Sequence, residues 1–158
     1  ANRYFFVENP TRIQIKGAPT KKVELHLHPD FPKKGNRKFT TGQDFYISKK
    51  DFESLKDNKI YRLMECLNFK KVKKEYVFVS EDYKDFKQKG EKIMHYLPVS
   101  DFLVNVDVIL QDASVVSGLA ETGLQNLKVG EIVQFEREFF ARLDSKEKQK
   151  LIFYFTHN

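Results

Sequence analysis

Hydrophobic and polar residues alternate along much of this chain, which is the spacing of β-strands. The clearest example is Phe102–Leu110, in which Phe102, Val104, Val106 and Val108 would form one wholly apolar face. The other face is mixed, so we expect this strand to be central in its sheet. The same pattern predicts further strands at Arg3–Val7, Arg12–Lys16, Lys21–Leu27, Phe45–Ile47, Ile60–Met64, Phe69–Val72, Tyr76–Val79, Ile93–Pro98 and Leu151–Phe155.

Two short helices interrupt the strands. Ser48 and Asp51 resemble a capping box at the start of a helix over Lys49–Leu55. Ser80 is expected to cap a second helix over Glu81–Lys89. Two further segments are expected to be loops: Phe31–Lys38 and Ser117–Asn126. Many short strands separated by turns predict an all-β fold built from β-barrels.

The segment Val129–Asp144 is predicted to be two strands folded back on each other. Apolar residues, among them Phe139 and Phe140, supply packing, and Gln134 and Arg137 are interleaved with them. A planar amide or a guanidinium on a rigid, half-buried ribbon can read the polar edges of a flat ligand.

Composition narrows the class of protein. The chain has 158 residues, which fits one domain or two small barrels that share an interface. Its 41% hydrophobic content excludes a disordered segment. A net charge of +6 favours a polyanionic partner.

The single cysteine, Cys66, excludes a disulfide within the chain, so a reducing, cytoplasmic location is expected. No apolar run approaches the ~20 residues that span a bilayer, and no membrane partner is predicted. The abrupt strand-like start at residue 2 suggests a fragment of a longer protein.

Residues for catalysis or metal binding are not evident. His26 and His28 share one strand face, but no cysteine or carboxylate cluster completes a metal site. His95 lies in an apolar strand and is expected to be packed, and Cys66 is expected to be a small buried hydrophobe. No glycine-rich phosphate loop is present. The sequence therefore predicts no catalytic residue and no metal ligand.

Binding chemistry is better represented, in the basic segment Lys56–Lys74. Its cations could neutralise phosphates, and aromatic neighbours such as Tyr61, Phe69 and Tyr76 could stack on unpaired bases. The alternative is a solvated strand face whose aromatic residues belong to the core.

Two motifs carry a family resemblance: residues 3–10 (RYFFVENP) and residues 129–137 (VGEIVQFER). With them the chain resembles the C-terminal anticodon-binding region of archaeal-type glutamyl-tRNA synthetase, a branch that is similar to glutaminyl-tRNA synthetase. The resemblance covers essentially the whole chain. Supporting matches lie at residues 27–30 and 35–37, 93–98 and 151–157.

The resemblance implies two stacked β-barrels of the kind found in ribosomal-protein-like domains. A discontinuous proximal barrel would comprise residues 1–20 with 99–158, and a distal barrel residues 21–98. The catalytic nucleotide-binding domain would lie upstream. ATP and Mg²⁺ would bind in that domain, as would the small-molecule substrates, and no cofactor is expected in this segment.

The resemblance also implies roles for individual residues. Arg3 and Gln134 match residues that contact the middle anticodon uridine, and Arg62 matches an arginine that reads the first anticodon base. Arg137 is assigned no base. Five cations are predicted to contact phosphates: Lys59, Lys70, Lys71, Lys73 and Lys74.

One departure from the glutaminyl relatives concerns Phe52–Lys59. That segment is shorter here and has no equivalent of the arginine that reads a guanine at the third anticodon position. Glutamate anticodons end in cytosine, so the absence favours glutamate identity.

We therefore interpret the chain as the anticodon-binding region of a glutamate–tRNA ligase, with tRNA(Glu) as partner and tRNA(Gln) as a second candidate. Three alternatives remain: a stand-alone RNA-binding β-barrel, a module that docks a synthetase onto a partner protein, and the corresponding region of a glutaminyl-tRNA synthetase.

Overall fold

The structure is a computed structural model that describes residues 1–158, and it consists mainly of β-strands. The strands are β1 (Asn2–Tyr4), β2 (Phe6–Glu8), β3 (Pro10–Lys16), β4 (Lys21–His26), β5 (Asn36–Thr41), β6 (Asp44–Ser48), β7 (Ile60–Leu63), β8 (Leu67–Val72), β9 (Glu75–Ser80), β10 (Gly90–Met94), β11 (Leu97–Pro98), β12 (Val104–Ile109), β13 (Val115–Ala120), β14 (Ile132–Phe135), β15 (Phe139–Glu147) and β16 (Lys150–His157). The helices are α1 (Lys49–Ser54) and α2 (Tyr83–Lys89), and 3-10 turns lie at Pro32–Lys34 and Thr122–Asn126. The predicted all-β class is confirmed. Neither α-helix combines the length and apolarity needed to cross a membrane.

The chain forms two units, each made of separate segments. Unit 1 comprises Ala1–Pro10, His26–Arg37 and Ser100–Asn158, and unit 2 comprises Thr11–Leu25 and Lys38–Val99. These bounds differ from the expected domains at residues 11–20, 26–37 and 99.

Backbone pairing explains the two longer differences. Strand β3 pairs in parallel with β9, with Ile15 opposite Tyr76, and so belongs to the sheet of unit 2. The segment 26–37 belongs with unit 1, where the backbone N–H of Arg3 donates to the Leu27 carbonyl at 2.7 Å. Neither pairing can be read from local alternation.

In unit 1 the sheet order is β1-β14-β15-β16-β12-β13-β2. Its two edge strands, β1 and β2, are consecutive in sequence and separated only by Phe5. The segment 2–8 therefore pairs with β14 on one side and β13 on the other, which closes the sheet into a barrel. As predicted, β12 is central, between β13 and β16.

The interior of unit 1 is a single apolar cluster. Its buried members are Tyr4, Phe6, Val104, Val106, Val108, Ala120, Leu124, Leu127, Val133, Phe135, Ala141, Leu143, Leu151 and Phe153. Phe102, expected on the buried face of β12, is 72% exposed because the strand begins only at Val104.

A strand replaces the loop expected at Ser117–Asn126. Val115–Ala120 is β13, and the 3-10 turn follows it. Gly118, one of the small residues that suggested a loop, is instead required by packing, since a Cβ there would overlap the backbone carbonyl of Val7 on β2. A close approach of two backbones is one reason for glycine inside a strand.

In unit 2 the main sheet has the order β10-β7-β8-β9-β3-β6-β11. Most residues of the separate two-stranded sheet, β4 and β5, also belong to unit 2. Here too the edge strands are consecutive, because only His95 and Tyr96 separate β10 from β11. The single strand expected at Ile93–Pro98 is thus two strands at opposite edges. Both separating residues are fully buried, which confirms the packed position expected for His95.

Of the two predicted helix caps, Ser48 is confirmed and Ser80 is wrong. The Ser48 hydroxyl accepts the N–H of Asp51 at 3.1 Å, as expected, and α1 follows. The second helix, α2, begins at Tyr83 rather than Glu81, because Asp82 is its cap and Ser80 is not. The Ser80 hydroxyl instead accepts a hydrogen bond from the Asn68 side chain at 3.0 Å.

The expected loop at Phe31–Lys38 ends early, since β5 begins at Asn36. Its cation Arg37 is buried by an ion pair with Glu121, with Nη2 3.0 Å from Oε2. The sequence places Arg37 in this loop but does not reveal the ion pair, because Glu121 lies far along the chain.

Candidate functional site

Arg3 and Gln134 are direct neighbours across two strands of unit 1. Strand β1 pairs in parallel with β14, with Arg3 opposite Gln134. Their strand neighbours Tyr4 and Phe135 are buried in the barrel, so Arg3 and Gln134 face outward. The family resemblance implies that both residues contact the same anticodon base, and the register places them side by side.

The Arg3 guanidinium is accessible. Its side chain exposes 35% of its surface, and Nη1 lies 3.6 Å from Oε1 of Glu136. A partly solvated pair at this distance contributes about 0–1 kcal/mol, so a ligand can replace it at small cost. Gln134 is half-buried, so part of its surface remains accessible.

The ribbon continues the row of outward-facing residues. The strands β14 and β15 are antiparallel, as predicted for Val129–Asp144, and Gln134 lies opposite Phe140. Phe140 in turn lies opposite His157, and their rings stack with centroids 4.4 Å apart at 25°. The result is a row of four planar groups across four neighbouring strands: Arg3, Gln134, Phe140 and His157.

The sequence interpretation assigned Phe140 to packing and did not identify His157. A signal was present, since Ala141 and Leu143 are the buried residues of β15 and their neighbour Phe140 must therefore point outward. The pairing with His157 depends on a register shift next to Phe140, which alternation does not reveal.

Arg62 lies in very different surroundings, in unit 2. It is only 6% exposed, and its Nη1 donates to Oδ1 of Asn68 at 3.0 Å and to the Glu81 carbonyl at 3.1 Å. The Tyr83 ring lies 5.6 Å from its guanidinium carbon. Its role as a base reader stays a prediction.

Asn68 extends the contacts of Arg62 into a buried network. Its amide nitrogen donates to the Ser80 hydroxyl at 3.0 Å and to the Asp82 carbonyl at 2.7 Å. Together with Arg62 it fixes the segment that leads into α2. A fully satisfied network of this kind rigidifies its surroundings.

The predicted phosphate ligands lie in unit 2 at or near the β8–β9 hairpin. Lys73 and Lys74 are exposed at its turn, where Lys73 has a φ of +59°. Lys70 is half-buried, and Lys71 and Lys59 lie 4.0 Å and 3.9 Å from the carboxylates of Asp57 and Glu91, respectively.

Aromatic stacking by the neighbours of these lysines is not supported. Tyr61 and Phe69 are core residues, 2% and 0% exposed, and their rings pack 5.9 Å apart. The Tyr61 hydroxyl accepts the backbone N–H of Lys56 at 2.8 Å. The alternative interpretation, a solvated strand face above core aromatics, is therefore correct for these two residues.

Burial shifts the pKa of two titratable groups, Cys66 and Glu121. Burial raises the pKa of Cys66, which is fully enclosed, as predicted for a small hydrophobe. Burial also raises the pKa of the Glu121 carboxyl, although Arg37 opposes this shift. No group of three or more His, Cys, Asp and Glu side chains is placed to bind a metal. The accessible chemistry is hydrogen bonding, stacking and cationic attraction.

Comparison with known proteins agrees with these features. The family described as "tRNA synthetases class I (E and Q), anti-codon binding domain" has two models that match, one over residues 1–84 and the other over residues 52–144. The chain is 39% identical to a glutamate–tRNA ligase of Methanobrevibacter smithii, 35% to that of Methanocaldococcus jannaschii and 36% to that of Pyrococcus abyssi. Each comparison covers 99% of this chain and 28% of the relative, so the chain spans a little over a quarter of their length.

Proposed function

We propose a function from the premise that this chain belongs to the anticodon-binding domain family of the class I tRNA synthetases for glutamate and glutamine. The chain is the anticodon-binding region of a glutamate–tRNA ligase, and its partner is tRNA(Glu), with tRNA(Gln) as a second candidate. The names of the relatives support the choice of glutamate. The whole enzyme acts in the cytoplasm.

The observation that carries the proposal is the pairing of Arg3 with Gln134 on the outer face of the unit 1 barrel. An amide offers both a donor and an acceptor, which matches the alternating edge of uracil. A guanidinium offers several donors in a fixed fork for carbonyl or phosphate oxygens. The two side chains together present enough polar groups to read the middle anticodon base.

The remaining roles follow the surroundings of each residue. Lys59, Lys70, Lys71, Lys73 and Lys74 contact phosphates of the same RNA. Arg62 is the predicted reader of the first anticodon base, but its hydrogen bonds favour a positioning role for the segment Ser80–Asp82. Activation of glutamate with ATP and Mg²⁺ belongs to a part of the enzyme outside this chain.

The test is binding of the chain to an RNA stem-loop with the tRNA(Glu) anticodon, compared with the same stem-loop carrying three changed anticodon bases. We expect tighter binding to the first, and weaker binding to both as salt rises. Equal affinity for the two would favour a general RNA-binding barrel. Failure to bind either would favour a protein-docking module, and both results would contradict the proposal.

A further inference from the structure

The segment His26–Arg37 of unit 1 presents one large exposed ring. Phe31 exposes 55% of its surface, although burying a phenylalanine typically contributes about 1.5–3 kcal/mol. A single exposed apolar residue is not unusual on a protein surface. The contacts around this ring are what distinguish it.

Phe31 is fixed in place by its own loop. The His28 ring lies 4.8 Å away at 61°, and Nζ of Lys34 lies over the Phe31 ring, 5.6 Å from its centre. The backbone N–H of Phe31 donates to the His28 carbonyl at 3.1 Å, and that of Lys34 donates to the Phe31 carbonyl at 3.0 Å. Because the ring is already ordered, a ligand that contacts it avoids most of the cost of ordering a side chain.

The base of the loop is closed in two ways. The backbone N–H of Leu27 donates to the Gly35 carbonyl at 3.0 Å, and Gly35 has a φ of +104°, which favours glycine. Two residues further on, Arg37 forms the buried ion pair with Glu121. These contacts constrain the conformation of the loop.

The loop also lies against the strand that carries the proposed base reader. Besides the hydrogen bond from Arg3 to Leu27, Nζ of Lys34 lies 3.5 Å from Oδ1 of Asn2. Asn2 and Arg3 are consecutive in β1. Phe31 is thereby attached, through Lys34, to the immediate neighbour of Arg3.

The charges near Phe31 suit a polyanion. Lys33 and Lys34 are both exposed, and Asp30 is the only acidic residue between His26 and Arg37. An exposed aromatic ring beside cations is the arrangement that binds unpaired nucleotides, with the base on the ring and its phosphate near the cations.

We propose that Phe31 is a stacking surface for an unpaired nucleotide of the RNA whose middle anticodon base is read by Arg3 and Gln134, and that Lys33 and Lys34 contact the phosphates of that nucleotide. This inference rests on the proposed function. It adds a second subsite, which contributes affinity without base preference because every base has an aromatic face.

The experiment measures binding of the stem-loop with the tRNA(Glu) anticodon to Phe31→Leu, Phe31→Trp and the matched control Phe102→Leu. Phe102 is also an exposed phenylalanine of unit 1, but it lies outside the loop. We expect Phe31→Leu to weaken binding roughly 5- to 100-fold, Phe31→Trp to retain most of the affinity, and Phe102→Leu to change it less than about twofold.

A set of stem-loops with one abasic position each identifies the nucleotide. One abasic position should weaken wild-type binding but have little effect on Phe31→Leu. If Phe31→Leu binds like the wild type while changes of the anticodon still weaken both, the inference is wrong and the proposed function stands. If wild-type binding ignores the anticodon, the proposed function fails first.

Discussion

Two arginines with the same predicted task, base reading, differ in what surrounds them. The Arg3 side chain in unit 1 exposes about a third of its surface and has one loose carboxylate partner at 3.6 Å. Arg62 in unit 2 is buried, and its Nη1 makes two hydrogen bonds at 3.0 and 3.1 Å. The difference indicates that a guanidinium is free to read a ligand only where the fold does not already use its donors.

A third arginine, Arg37, extends the comparison to a buried ion pair. The Arg37 guanidinium donates hydrogen bonds to both carboxylate oxygens of Glu121. Its central carbon lies 4.9 Å from the centre of the Phe5 ring. Burial thus increases from Arg3 to the other two. We therefore expect substitution of Arg37 or Arg62 to destabilise the fold more than substitution of Arg3. We expect the direct loss of RNA discrimination to follow the opposite order.

The largest effect is expected for Arg37→Met, which leaves the Glu121 carboxylate buried and unpaired. We expect the free energy of unfolding to fall by about 3–5 kcal/mol. Urea unfolding measures it, with Arg12→Met as the control, since Arg12 forms a mostly exposed pair with Asp44. If Arg37→Met loses no more stability than Arg12→Met, the expected link between burial and stability is wrong for Arg37.

Acid should reduce the deficit of Arg37→Met. Burial already raises the pKa of Glu121, and removal of Arg37 takes away the group that opposes this shift. A carboxyl whose folded-state pKa is raised binds its proton more tightly when folded, so its contribution to stability rises as pH falls through that pKa. The loss should therefore be smaller at mildly acidic pH than at neutral pH.

The next effect is expected for Arg62→Met, which removes charged hydrogen bonds to Asn68 and the Glu81 carbonyl. We expect a net loss of about 1.5–3 kcal/mol, because each bond to a charged group contributes about that much and the apolar replacement compensates for part of the sum. Thermal unfolding and RNA binding should be measured on the same preparation. A stable variant that loses discrimination at the first anticodon base would instead establish Arg62 as a reader.

The smallest effect is expected at the unit 2 hairpin, from Lys73→Gln combined with Lys74→Gln. Stability should not change, because both side chains are exposed. The log–log dependence of RNA affinity on salt should become shallower by roughly 0.7–0.9 for each lost phosphate contact. Lys49→Gln with Lys50→Gln, an exposed pair on α1, is the control and should leave the slope unchanged.

The sequence predicts the strands well where one face is apolar, as in β12, and where the family motifs lie. It fails where burial depends on a distant partner. The burial of Arg37 and Arg62 is not evident from the sequence, because Glu121 lies far along the chain from Arg37 and Asn68 lies across a hairpin from Arg62. Gly118 is interpreted from the sequence as part of a loop because Val7, against which it packs, lies far away along the chain.

The residues of the candidate site also divide into those that the sequence identifies and those that it does not. The residues Arg3 and Gln134 were identified through the family resemblance, and the register of β1 and β14 then made them neighbours. Phe140 and His157 were missed because their stacking depends on an irregular register. Phe31 was missed as a separate feature because a charged loop gives no sign that one ring is fixed and exposed.

The most direct test of the assignment of Gln134 is a cycle that combines Gln134→Ala with a change of the middle anticodon uridine to cytidine. The wild-type chain should discriminate between the two stem-loops by about 1–3 kcal/mol, and Gln134→Ala should lose most of that difference. Gln125→Ala, which changes an exposed amide elsewhere in unit 1, should keep it. If Gln134→Ala discriminates as well as the wild type, Gln134 does not read the middle base.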